Sequence, residues 1–143
     1  MDLVEGAEQV ERVFGYWPSF HDAEVLDITL SRESCGAVRG PTVHFSVHAF
    51  EMTDEVDARG YFVLRKHVLV TFALYSVEVL QLDGFNLQSV LFGLHFSRPA
   101  EPVEPDLTVQ VDLESSYGVA ARFQCSRAEV VSVEPHEPRG RAA

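Results

Sequence analysis

Leu107-Thr108-Val109-Gln110-Val111-Asp112-Leu113-Glu114 alternates apolar and polar side chains without a break. Successive side chains of an extended chain point to opposite sides, so this segment has one apolar face and one polar face, as a half-buried strand does. The same period of two recurs in Val43, Phe45 and Val47 against His44, Ser46 and His48, and in EVLDITLSR, residues 24–32, where Leu26, Ile28 and Leu30 are expected to share a face. HVLVTFAL, residues 67–74, and YSVEVLQL, residues 75–82, read as two adjacent strands, the first apolar on both sides and therefore central, with Asp83-Gly84 turning the chain afterwards. LQSVLFGLHF, residues 87–96, is expected to place Val90, Phe92, Leu94 and Phe96 together, and VAARFQC, residues 119–125, precedes a last short strand around residues 130–133.

Only the N-terminus keeps a helical period. Leu3, Ala7, Val10 and Phe14 recur at steps of three and four, Asp2 can cap the first turn, and Gly15 followed by Pro18 stops the helix. Three segments interrupt the strands: residues 34–41, rich in turn formers; the acidic residues 51–60; and residues 99–105, whose three prolines cannot join a ladder. The expected fold is α+β and mainly β: one N-terminal helix packed on a twisted, mostly antiparallel sheet of about seven or eight strands, open or partly closed as a barrel. Strands joined by short turns predict a meander. Residues 1–134 are expected to form one domain, and residues 135–143, polar and broken by proline, a disordered tail.

The chain has 143 residues, 46% of them apolar, which suffices for a single continuous core. Its most apolar stretch, residues 68–82, is interrupted by Thr71, Ser76, Glu78 and Gln81, so it does not read as a membrane span. The start MDLVEGAEQVERVF lacks the basic opening and apolar run of a secretion signal, which leads us to expect a cytoplasmic protein. Cys35 and Cys125 are too few for a disulfide framework and lack the paired spacing of a zinc site. Twenty-two acidic against eleven basic residues leave a formal net charge of −11, which repels phosphate backbones and anionic lipid. Nucleic acid and membranes are therefore not expected partners; a basic protein is.

Candidate chemistry gathers in Trp17-Pro18-Ser19-Phe20-His21-Asp22-Ala23-Glu24. His21, Asp22 and Glu24 could hold a metal or share a proton, which would make this a small metal- or ligand-binding, enzyme-like domain. The structural reading weighs more. Trp17 and Phe20 would plug the end of the sheet, Pro18 would stop the helix, and His21 or Asp22 would bond to orphan backbone groups. His44 and His48 share a strand face but are separated by roughly 13 Å, too far to share one ion, so they read as a solvated face unless a neighbouring strand contributes. His67, His95 and His136 stand alone in sequence. No phosphate loop, dinucleotide glycine pattern, GxSxG elbow or HExxH helix is present, so no catalytic residue, cofactor or resident metal is expected. Acid concentrates instead in Glu51, Asp54, Glu55 and Asp57, and again in Glu101, Glu104 and Asp106. These are the candidates for steering a basic partner. A third reading is an oligomerisation module that uses an exposed strand edge.

FGYWPSFHDAEVLDITLSR, LDGFNLQSVLFGLHFS and YGVAARFQCSRAEVVSVEP together resemble the bacterial immunity protein 50 family of polymorphic toxin systems, with Trp17 to Val25 as the strongest element. The resemblance spans most of the chain. It implies a small cytoplasmic antidote that binds and neutralises the toxin encoded beside it, and it supplies no catalytic residues.

Overall fold

The computed structural model describes residues 1–33 and 40–137. Among them are one helix, α1 (Glu8–Phe14), and nine strands: β1 (Val4–Glu5), β2 (Glu24–Ser31), β3 (Thr42–Val56), β4 (Phe62–Tyr75), β5 (Glu78–Asp83), β6 (Val90–Ser97), β7 (Val109–Tyr117), β8 (Ala120–Cys125) and β9 (Arg127–Pro135). The strands form one mixed sheet in the order β1-β9-β4-β3-β2-β6-β7-β8-β5, with β1 and β5 at its open edges. Every pairing is antiparallel except β1 with β9. The expected fold class holds; the strand count rises to nine.

Two halves of this sheet fold onto one another. Among the described residues, strands of the two halves pair only where β2 meets β6, at Glu24–Val90. The chain itself crosses between halves twice, through Ser76-Val77 after β4 and through Ser126 between β8 and β9. Both crossings meet at one corner, where the Ser126 backbone N–H and hydroxyl donate to the Tyr75 carbonyl at 3.0 and 3.1 Å. Inside, Phe45 of β3 stacks on Phe72 of β4 at 5.0 Å between ring centroids, and Phe72 reaches Phe96 of β6 at 5.5 Å. Phe45, Phe72, Val111, Phe123 and Leu91 are all fully shielded from solvent, so residues of both halves contribute to one core. Each large side chain so buried contributes about 1.5–3 kcal/mol.

Several sequence expectations change. The helix starts at Glu8 and not near Asp2, because Val4 and Glu5 pair with Ala128 and Glu129 of β9 and Gly6 turns the chain at φ 75°. Ala7 is its N-cap and makes no side-chain cap; Gly15 ends it as expected, in the left-handed region, with its N–H on the Glu11 carbonyl at 2.7 Å. β5 does not lie beside β4 but crosses to the far edge and pairs with β8, so the meander is broken.

In β2, a bulge between Val25 and Asp27 shifts the faces there: Val25 is buried and Leu26 exposed, while Ile28 and Leu30 keep a common face opposite Phe45 and Val43, with Leu30 exposed near the strand's end. In β6, irregularities at Val90–Gly93 turn Leu91 inward and Phe92 outward, and the strand begins at Val90, leaving Leu87 in a loop. Residues 51–56 are not loop but the end of β3. Residues 34–39 of the expected first loop lie outside the described residues. The expected tail opens with Pro135, the last residue of β9, and His136, whose N–H donates to the His67 carbonyl at 3.1 Å; residues 138–143 also lie outside the described residues.

Candidate functional site

The helix-to-strand junction continues β2 as an irregular neighbour of β6. Its backbone bonds to β6 through Asp22 N–H on the Leu91 carbonyl (2.8 Å), Leu91 N–H on the Ala23 carbonyl (2.9 Å) and Leu94 N–H on the Ser19 carbonyl (3.3 Å). Phe20 and Asp22 sit at φ 60° and 67°, a left-handed geometry that non-glycine residues rarely take. The result turns Phe20 into the core and His21 out of it. Trp17, half-buried, meets Phe20, Phe72 and Phe96 edge-on at 5.5, 6.4 and 6.0 Å.

The His21 Nδ1–H donates to the Phe92 carbonyl at 2.9 Å, and its Nε2 lies 3.6 Å from the Asp22 carboxylate. Glu24 is paired across the sheet with His48 and Val90. Among the described residues, no group of three His, Cys, Asp or Glu side chains is arranged to hold a metal ion. Cys125 is buried, and burial pushes its thiol up to about 12, so it stays protonated and unreactive at neutral pH. Cys35 lies outside the described residues.

Beyond Ala49 and Val68, β3 and β4 continue without flanking strands, since β2 ends its pairing at His48 and β9 at Val68. They form a two-stranded arm, closed by a turn in which the Asp57 carboxylate accepts from the N–H groups of Arg59 (2.8 Å) and Tyr61 (3.1 Å). The arm carries the first acidic cluster together with its own cations: Glu51 pairs with Lys66 at 2.9 Å and Glu55 with Arg65. Met52, Tyr61 and Phe62 are exposed there. One shallow cavity, lined by Met52, Asp57, Arg59 and Tyr61, lies on the arm; another, lined by Tyr16, His21, Glu51 and Met52, joins it to the junction; a third, on the other half, is lined by His95, Asp112, Glu114 and Arg122. Glu101, Glu104 and Asp106, in the β6–β7 loop, are exposed and make no ion pair among the described residues. The two acidic clusters therefore differ: one is largely offset, the other is not.

Sequence spacing missed a histidine cluster. His48 is buried on β3, its Nε2 2.9 Å from His67 Nδ1 on β4, with the His136 ring 4.7 Å away by centroid. Register alone could have suggested the His48–His67 contact, but the left-handed kink at Lys66 (φ 56°) was not readable. His95, which also stood alone in sequence, pairs with Glu114 at 2.9 Å. Burial, and then the neighbouring His136 and His67 charges, push His48 down to about 4. A histidine whose folded value lies below its unfolded value of about 6.5 favours folding above that pH and opposes it as pH falls toward 4. Melting temperature should thus drop between about pH 6.5 and 4 more steeply in the wild type than in His48→Gln; parallel pH profiles would show that the cluster does not titrate against folding.

A family model described as Immunity protein 50 matches residues 6–136. The chain belongs to the immunity protein 50 family. The matched residues include the junction, the arm, both acidic clusters and the histidine cluster. Membership points to a toxin-neutralising role for this immunity protein. No curated protein and no solved structure matches the chain. Among the described residues no helix is long and apolar enough to cross a membrane.

Proposed function

We propose that this protein is a non-catalytic cytoplasmic antidote that binds a cognate bacterial toxin by direct protein contact and so neutralises it. The observation that carries the reading is the immunity-family match across residues 6–136. A buried, protonated Cys125 and a junction whose His21 is engaged with a backbone carbonyl favour binding over chemistry. The toxin we propose is basic, of the kind a nuclease domain presents, because a net charge of −11 attracts such a partner and discourages nucleic acid itself. In this account Trp17, Pro18, Phe20, His21 and Asp22 are scaffold, and the two acidic clusters steer. Co-expression with the toxin encoded by the adjacent gene tests it: growth should be restored, and continued killing despite abundant folded protein would overturn the reading.

Steering has a measurable signature. Exposed charges are individually worth only about 0.2–1 kcal/mol, so single substitutions should leave affinity nearly unchanged. Reversal of Glu101, Glu104 and Asp106 to lysine should slow association with the toxin and flatten its dependence on ionic strength. Reversal of Glu51, Asp54 and Glu55 should act in the same direction but more weakly, since Lys66 and Arg65 already offset two of them. Asp57 is left out because it holds the turn. Stopped-flow association rates across a salt series measure both, and slopes identical to the wild type would remove the clusters from the encounter.

A further inference from the structure

Residues 84–89, between β5 and β6, form a loop held from several sides. The Asn86 carboxamide oxygen accepts from Gln88 N–H at 2.8 Å, and the buried Ser89 hydroxyl accepts from Asn86 N–H and donates to the Asn86 carbonyl, both at 3.2 Å. Ser89 also accepts from Val119 N–H at 3.4 Å, while its carbonyl takes the Val25 N–H at 2.8 Å. Two glycines let the loop sit against the β7–β8 turn: a Cβ on Gly84 would lie 2.5 Å from the Gly118 carbonyl oxygen, and one on Gly118 would lie 2.5 Å from that of Gln88. All of this order presents apolar side chains to solvent. Leu87 is completely exposed, Phe85 is half exposed, and Tyr117 stands exposed on the supporting turn.

A single exposed leucine is ordinary, but two large apolar residues on one cross-braced loop are not a by-product of slack chain. Leaving a leucine in water forgoes the gain of burying it, and the bracing holds the loop in that arrangement. The sequence from Gly84 to Leu94 also has no Asp, Glu, Lys or Arg, in a chain that is otherwise strongly acidic. Uncharged, apolar and preorganised describes the centre of a protein interface, where few residues supply most of the affinity and little ordering entropy remains to be lost.

We propose that Phe85 and Leu87 are a preformed plug that enters an uncharged apolar pocket of the cognate toxin, a proposal that rests on the toxin-binding reading. A second copy of this chain is a poorer host. Each of the three cavities described above is lined by charged side chains, and a net charge of −11 opposes self-association.

The test is calorimetric titration of the full chain against the purified toxin domain of the adjacent gene, with melting temperature recorded for every variant. Leu87→Asp should weaken binding by about 100-fold or more with no loss of melting temperature, because its side chain touches no core. Leu87→Met should stay within about threefold of wild type, and so should Phe62→Asp on the arm. Leu87→Asp binding as tightly as wild type overturns the plug while leaving the antidote reading intact. Loss of binding in Phe62→Asp with Leu87→Asp unaffected moves the interface to the arm and also overturns it. A wild-type chain that does not bind the toxin overturns both readings, and a concentration-dependent dimer abolished by Leu87→Asp assigns the plug to self-association instead.

Discussion

Phe72→Ala is expected to lower the free energy of unfolding by about 3–5 kcal/mol. Phe72 is wholly buried, stacks on Phe45, meets Phe20 and Trp17 through ring edges at 5.8 and 6.4 Å, and lies against the tilted Phe96 ring at 5.5 Å. Through its ring β4 touches β3, β6 and the junction. Truncation removes the transfer energy of a ring and leaves a void that four aromatic neighbours can fill only by abandoning their own packing. The half-exposed Phe92 offers a control with the same chemistry, and Phe92→Ala should cost about 0.5–1 kcal/mol. Urea unfolding of both variants measures the contrast. Equal losses would mean that the two halves of the sheet do not close over Phe72.

Gly118→Ala should cost about 2–4 kcal/mol, more than a methyl group ordinarily can. Gly118 sits at φ 74°, where any side chain is strained, and its added Cβ would also approach the Ser89 hydroxyl to 2.8 Å. Gly60→Ala separates the two contributions. Gly60 shares the positive φ, at 86°, but has open space around it, so its substitution should cost only the left-handed term of about 1–2 kcal/mol. The difference between the two variants reports how tightly the β7–β8 turn is wedged against residues 84–89, and Gly118→Ala should weaken toxin binding as well, since it displaces the plug without altering its side chains. Matching losses in the two glycine variants would show the wedge to be loose.

The faces of β7 were legible because Leu107 to Leu113 alternates without irregularity, and Val43, Phe45 and Val47 point inward for the same reason. Alternation gives the face of a strand and not its neighbour. YSVEVLQL therefore reads as a strand, which residues 78–82 are, while the crossing at Ser76-Val77 that carries them to the far edge beside β8 was not legible. Bulges defeat alternation altogether: one extra residue near Leu26 and another near Phe92 moved both side chains to the opposite face. The acid in residues 51–56 suggested a loop, but a hairpin whose two strands pair only with each other has no buried face to exclude charge. The WPSFHD run was legible as a junction, and its two left-handed residues were not. Phe85 and Leu87 escaped notice because apolar residues beside a strand read as more strand; the Gly-Phe-Asn-Leu spelling, with turn formers between the apolar residues, was the available signal.

Titration of toxin activity against this protein separates neutralisation by contact from neutralisation by chemistry. An antidote that works by occupying its target brings activity to zero along a straight line that ends at an equimolar ratio, and removal of the bound protein restores the toxin. Complete inactivation at a small fraction of one equivalent, or toxin that stays inactive after the protein is removed, would contradict neutralisation by contact and point to chemistry in its place.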